Sequence, residues 1–155
     1  MEYIGKIEIY VDKEGTWYYK GLEATREDII RIFMESLVEL PNGEFGLKEG
    51  EKVFKIEVED TPFVATGIKV VSKGESIERI LVKLRWMDEE KEIDPKSIKV
   101  GKDNVLYVNL KDSGRRVRLL RPAYMELANL ISEDINKGYY IEVSGKRYYL
   151  TVPNR

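Results

Sequence analysis

From Ile7 to Val11 the chain alternates strictly, with Ile7, Ile9 and Val11 on one face and Glu8 and Tyr10 on the other, the period of a half-buried strand. Asp12-Lys13-Glu14-Gly15 then reverses it into Thr16 to Tyr19, with Gly15 where a hairpin of this loop length needs positive φ. The period next lengthens. Ile29, Ile30, Phe33, Leu37 and Leu40 recur at helical spacing, and Thr25 followed by Asp28 has the spacing of a capping box, so a helix is predicted over about Arg26 to Leu40. Pro41-Asn42-Gly43 stops it, and a short strand at Phe45 and Leu47 turns at Glu49-Gly50 into Val53 to Val58.

Two longer strands follow, Phe63 to Val71 and Ile77 to Trp86, joined by Ser72-Lys73-Gly74-Glu75. In the second, Ile80, Val82, Leu84 and Trp86 alternate with Arg79, Lys83 and Arg85, so one face is apolar and the other largely basic. Met87 to Asp103 is polar and turn-rich and reads as a surface connection or an irregular edge. The last third repeats the opening plan. Strands at Val105 to Leu110 and Arg115 to Leu120 precede a helix opened by Pro122, with Tyr124, Leu127, Ala128 and Ile131 as its buried stripe. Asn136 to Gly138 ends that helix, and Tyr139 to Val143, Ser144-Gly145 and Arg147 to Val152 make a final hairpin.

The repetition extends to residues. Asn42 to Val58 lies without gaps on Asn136 to Val152, pairing Phe45 with Tyr139, Leu47 with Ile141, Phe54 with Tyr148 and Ile56 with Leu150. The same offset puts Ile30 on Tyr124, Phe33 on Leu127 and Leu37 on Ile131. The expected fold is α+β, two duplicated hairpin-helix-hairpin (ββαββ) units with extra antiparallel strands between them. Residues 1–60 form the first repeat, an N-terminal α+β subdomain, and residues 61–155 a C-terminal subdomain carrying the second.

Composition narrows the chemistry. The chain has neither Cys nor His, which removes disulfides, thiolate nucleophiles, His-based triads and dyads, and His-bearing metal sites. Charged residues make up 35% and nearly cancel at a net −2, with Gln absent, a balance seen in thermostable proteins. It gives no general electrostatic reason to expect nucleic acid. No window is apolar for long enough to span a bilayer, and the opening MEYIGKIEIYVD is strand-like rather than a signal peptide, so a cytoplasmic protein without membrane contact is expected.

Three constellations remain. Glu59 and Asp60 sit between two strands, where they either serve a ligand or an acid-base step or form an ion-paired turn with Arg26 or Arg121. Arg26 and Arg121 each open a helix, where backbone N–H groups favour an anion, although each Arg is also free to reach a nearby acid. The Tyr-Tyr pairs and the basic set Arg115, Arg116, Arg118 and Arg121 fit a nucleic-acid platform less well than core and edge filling. Neither GxGxxG nor GxxxxGK[ST] occurs.

GTWYYKGLEATREDIIRIF, KVFKIEVEDTPFVA, LLRPAYMELANLI and GYYIEVSGKRYYL follow one another as the landmarks of a known family do. In that order they resemble the bacterial domain-of-unknown-function family 1285, with its Gly-x-Trp hairpin, Glu-Asp-x-Pro-Phe-Val strand and Arg-Pro helix start. The resemblance implies a C-terminal part like a pleckstrin-homology domain and a role in ligand-dependent signalling, with no established catalysis, metal or cofactor. It also implies a binding site where the two halves meet, which falls here on Trp17, Arg26, Glu59, Asp60, Pro62, Phe63 and Arg121. The expected function is a regulatory or sensory module for a small anionic ligand or a protein segment. The alternatives are an interaction adaptor using a sheet edge or the basic strand face, and a carboxylate enzyme at Glu59 or Asp60. No motif encodes the oligomeric state.

Overall fold

The chain divides after Pro62, into Met1–Pro62 and Phe63–Arg155, in a computed structural model that describes residues 2–152. In the first unit, β1 (Glu2–Val11) and β2 (Trp17–Tyr19) form the expected hairpin, with Val11 opposite Trp17. Asp12 holds its turn, its carboxylate accepting the N–H groups of Glu14 and Thr16 at 2.9 Å each, and Gly15 takes φ 80°. β3 (Leu22–Glu23) extends the edge, and α1 (Glu27–Ser36), β4 (Leu37–Glu39), β5 (Phe45–Glu49) and β6 (Lys52–Val58) complete the unit.

These strands make one sheet in the order β3-β2-β1-β6-β5-β4, antiparallel except where β6 lies parallel to β1. A parallel partner requires a crossover, which α1 and the following strands supply. Ile30 and Met34 of α1 are buried, and Phe33 stacks on the buried Trp17 at 5.6 Å between ring centroids.

The first helix is shorter than its apolar spacing predicts. It starts at Glu27 with Arg26 as N-cap and no side-chain cap, so the Thr25–Asp28 capping box does not form. Asp28 pairs instead with Arg26 at 2.8 Å. Leu37, assigned by periodicity to the helix, is buried as a strand residue opposite Leu47. Pro41-Asn42-Gly43 is accordingly the β4–β5 turn.

In the second unit β7 (Val64–Lys73), β8 (Ser76–Leu84), β9 (Glu90–Val100), β10 (Leu106–Leu110) and β11 (Arg116–Leu119) close a barrel. Successive strands are antiparallel, so with an odd number the closing pair, β11 with β7, must be parallel, and it is. Ile80, Val82, Leu84, Ile93, Ile98, Val108 and Val117 are buried. α2 (Arg121–Ala128), with Pro122 in its first turn, packs on β7 through Ala123 and Leu127. Glu126 reaches the register slip in β7 and accepts the Ile68 N–H at 3.3 Å. A separate sheet of β12 (Ser132–Asp134), β13 (Gly138–Val143) and β14 (Lys146–Tyr149) follows. Ser144 and Gly145, at φ 51° and 76°, join its last two strands in the twist hairpins favour.

Two further expectations are corrected. Met87 to Asp103 contains β9, an eleven-residue barrel strand, rather than a surface connection. Pro95 and the polar run around it disguise it, because they fall where the ladder slips between Tyr107 and Asn109. Ser97 fills that slip, its hydroxyl accepting the Asn109 N–H at 2.7 Å and donating to the Asp94 carbonyl at 2.6 Å. The second helix ends at Ala128, with Tyr124, Ala128 and Ile131 half-buried, and Asn136 to Gly138 lies at the β12–β13 turn.

The repeat has a structural counterpart in register. Leu47 faces Phe54 as Ile141 faces Tyr148, and Val38 faces Gly46 as Ser132 faces Tyr140. A helix followed by a three-stranded meander thus recurs. The sheets around it differ: β6 joins β1, whereas β13 and β14 stand apart from β10. The reason is β9, which has no counterpart in the first unit and takes the edge of β10 that β1 offers to β6. Among the described residues no helix is long and apolar enough to cross a membrane.

Candidate functional site

Parallel pairing of β1 with β6 sets Lys6 directly opposite Lys55 and Tyr10 opposite Glu57. Between these pairs the register slips, so β1 carries more residues than β6 along the same stretch and the sheet surface is uneven. A groove of about 390 Å³ opens there, lined by Lys6, Tyr10, Glu44, Lys55, Glu57 and Asp60 and bordered by the half-buried Phe45 and Val58. An adjoining hollow at Leu40, Pro41 and Asn42 shares Glu44 and Lys55 with it.

Its charges are paired. Lys6 binds Glu57, and Lys55 binds Glu44, which also accepts from Asn42. The Lys55 ammonium, more than any other neighbour, holds the Glu44 carboxyl below the usual carboxylate range. Side-chain exposures of 52% for Lys6, 54% for Glu57 and 42% for Glu44 put both pairs in reach of water. Water screens pairs this exposed, so little holds the carboxylates in place.

Only Asp60 of the expected site residues lines this groove. Glu59 lies beside it and is engaged, accepting the Lys13 N–H at 3.0 Å and the Tyr10 hydroxyl at 3.1 Å. Neither bond involves Arg26, whose side chain is 71% exposed and pairs with Asp28, so the expected Arg26 bridge to this turn is not made. Trp17 is core, 1% exposed, and its indole N–H lacks a protein acceptor among the described residues. Pro62 is buried at the end of the first unit.

In the second unit Phe63 is buried beneath the Arg115 guanidinium at 5.0 Å, and its carbonyl accepts the Arg118 N–H at 3.0 Å. Arg121 is exposed at the first position of α2. The basic strand face is partly neutralised by β9, with Arg79 near Glu92 at 3.7 Å and Lys69 near Glu90 at 3.6 Å. Arg116 lies over Tyr107 at 3.8 Å and Arg85 over Trp86 at 4.4 Å. A cavity of about 440 Å³ at Glu75, Ser76, Ile77, Leu130, Ser132, Tyr140 and Glu142 contains none of the expected residues. Among the described residues no group of three or more acidic side chains is placed to hold a metal ion.

Sequence reasoning missed Lys6, Tyr10, Glu44, Lys55 and Glu57. Its available signal was the polar face of β1, but β6 contributes the opposite wall from about fifty residues away, through a parallel pairing no local pattern announces.

The fold places the chain among mixed α+β proteins of mostly sheet, with two α-helices among the described residues. Residues 2–61 match the model of the N-terminal domain of DUF1285, a domain of unknown function. This match to the N-terminal domain bears out the resemblance seen in the sequence. A DUF1285 family protein from Silicibacter pomeroyi DSS-3 shares the fold at a TM-score of 0.80, with 22% identity over 96% of this chain and 82% of that one. A second, from Shewanella baltica OS155, gives a TM-score of 0.64 and 20% identity over 79% of this chain and 91% of that one. No curated protein matches the chain.

Proposed function

We propose that the protein is a non-catalytic regulatory module that binds a small ligand or a short protein segment in the groove of its N-terminal unit, in signal transduction. The observation that carries this reading is the groove itself, a metabolite-sized hollow walled by weakly held, exposed charges. The absence of His and Cys from the sequence supports binding over catalysis. A closed barrel with a helix packed on it favours the pleckstrin-homology-like reading of the C-terminal unit. The equal registers of the two meanders favour duplication of the helix and the strands after it.

Thermal-shift screening of the whole chain against nucleotides, carboxylates, phosphates and short peptides tests the binding role. Stabilisation by one class, lost on Phe45→Ala, is the expected result. A flat response to every class, with no peptide captured, would remove the reading. The adaptor alternative draws on β4, whose outer edge ends the six-stranded sheet. It predicts a protein partner lost on Val38→Pro but indifferent to Phe45→Ala.

A further inference from the structure

We propose that the groove takes a small oxyanion, the carboxylate or phosphate group of a metabolite, between Lys6 and Lys55, where it displaces Glu57 and Glu44. This rests on the reading of the groove as the ligand site and adds the chemical class of its occupant.

The distinctive observation is the pairing of two lysines across adjacent strands. Like charges directly opposite one another destabilise a sheet. Here each ammonium is neutralised by a carboxylate from another position, Lys6 by Glu57 and Lys55 by Glu44. Both carboxylates are exposed at the groove wall, so rotation into water leaves neither of them buried and unpaired. Lys6 is as exposed as its partner, and Lys55 is the less free of the two lysines. Lys55 is only 30% exposed and stays at the groove whichever anion it serves.

With the two glutamates swung out, the charged lining is Lys6, Lys55 and Asp60, which favours an anion. One ligand oxyanion then answers two ammoniums, where each intramolecular carboxylate answers one. Phe45 and Val58, both half-buried, border the groove, and the volume suits a small metabolite. Glu44 and Glu57 act as placeholders that keep the lysine pair tolerable in the empty protein.

The test is calorimetric titration of the whole protein at low ionic strength with succinate, inorganic phosphate, putrescine and glucose as probes. Succinate or phosphate should bind, and whichever binds more tightly identifies the headgroup. Affinity should fall at least tenfold in Lys6→Met and in Lys55→Met, recover in part in the Lys→Arg variants, weaken with added salt, and rise in Glu44→Gln. Succinate or phosphate binding that both Lys→Met variants leave unchanged, in chains whose circular dichroism matches the parent, overturns the proposal. So does weaker binding in Glu44→Gln. Binding of putrescine or glucose alone, lost on Phe45→Ala, overturns the oxyanion while leaving the groove as a ligand site. Failure of all four probes overturns the oxyanion proposal, and the thermal-shift screen then decides the groove separately.

Discussion

Glu59, just beyond the end of β6, accepts the backbone N–H of Lys13 in the β1–β2 turn at 3.0 Å. The same carboxylate oxygen takes the Tyr10 hydroxyl at 3.1 Å, so one side chain ties the first hairpin to the strand that later joins it. Partial desolvation first, and Glu59 second, raise the Tyr10 phenol above its ordinary value.

Removing that tie should be felt as stability. Glu59→Ala is expected to cost about 0.5–1.5 kcal/mol, the usual net worth of a hydrogen bond at an accessible site. Urea unfolding followed by tryptophan fluorescence measures it, and an unchanged midpoint would show that the contact contributes nothing.

Trp17 should behave as packing and not as a ligand contact. Trp17→Ala is expected to cost about 3–5 kcal/mol, whereas Trp17→Phe keeps a ring against Phe33, deletes an N–H that finds no acceptor among the described residues, and should cost much less. Equilibrium unfolding of both variants separates the cases. Near-equal losses would mean that the indole nitrogen has a partner, such as a bound water.

Ser97 is the third test. Its hydroxyl serves the Asn109 N–H where the β9–β10 ladder slips, so Ser97→Ala should leave that N–H unpaired, at about 1–3 kcal/mol. Hydrogen exchange at the Asn109 amide should accelerate along with the loss. Full protection in the variant would mean that another acceptor replaces the hydroxyl.

Asp134 gives a pH dependence. Its carboxylate accepts from Asn136 and Lys137 N–H groups at 2.9 and 3.2 Å and faces Arg147 at 3.3 Å. The Asn136 N–H first, with Lys137, Tyr149 and Arg147 adding to it, holds the carboxyl below its ordinary range. A depressed carboxyl stabilises the fold above its unfolded value near pH 4 and loses that contribution as pH falls through the folded value. Carboxyl titration by NMR should show the depression, and Asp134→Asn should make stability less sensitive to acid in that window.

Legibility in the sequence follows the range of the interactions. β1 and β8 were readable because one face of each is buried and the period of two survives intact in Ile7, Ile9, Val11 and in Ile80, Val82, Leu84. β4 was not, because Leu37 and Leu40 satisfy helical spacing and only pairing with Phe45 to Leu47 makes Leu37 a strand residue. β9 was hidden by Pro95, since its buried Ile93 and Ile98 are five apart across a slip and break the alternation. Of the site, Asp60 was named from the sequence. The lysine pair was not, because a contact between β1 and β6 depends on a parallel pairing that sets no mark on either strand.

The two parallel strand pairs, β1 with β6 and β7 with β11, each join the first strand of a sheet to its last in chain order, and this spaces their formation as the chain is made. β1 meets β2 at once, but its other edge stays open until Val58 has been synthesised, and β7 waits in the same way for Leu119. Pairings over such separations form late, because loop closure is costly before the contacts exist. The pairing of the N-terminal sheet needs no residue of the barrel, so it can close while the barrel strands are still being made. The barrel has no closed intermediate: until β11 arrives, β7 is an unguarded edge, and a chain arrested there is the form most exposed to aggregation.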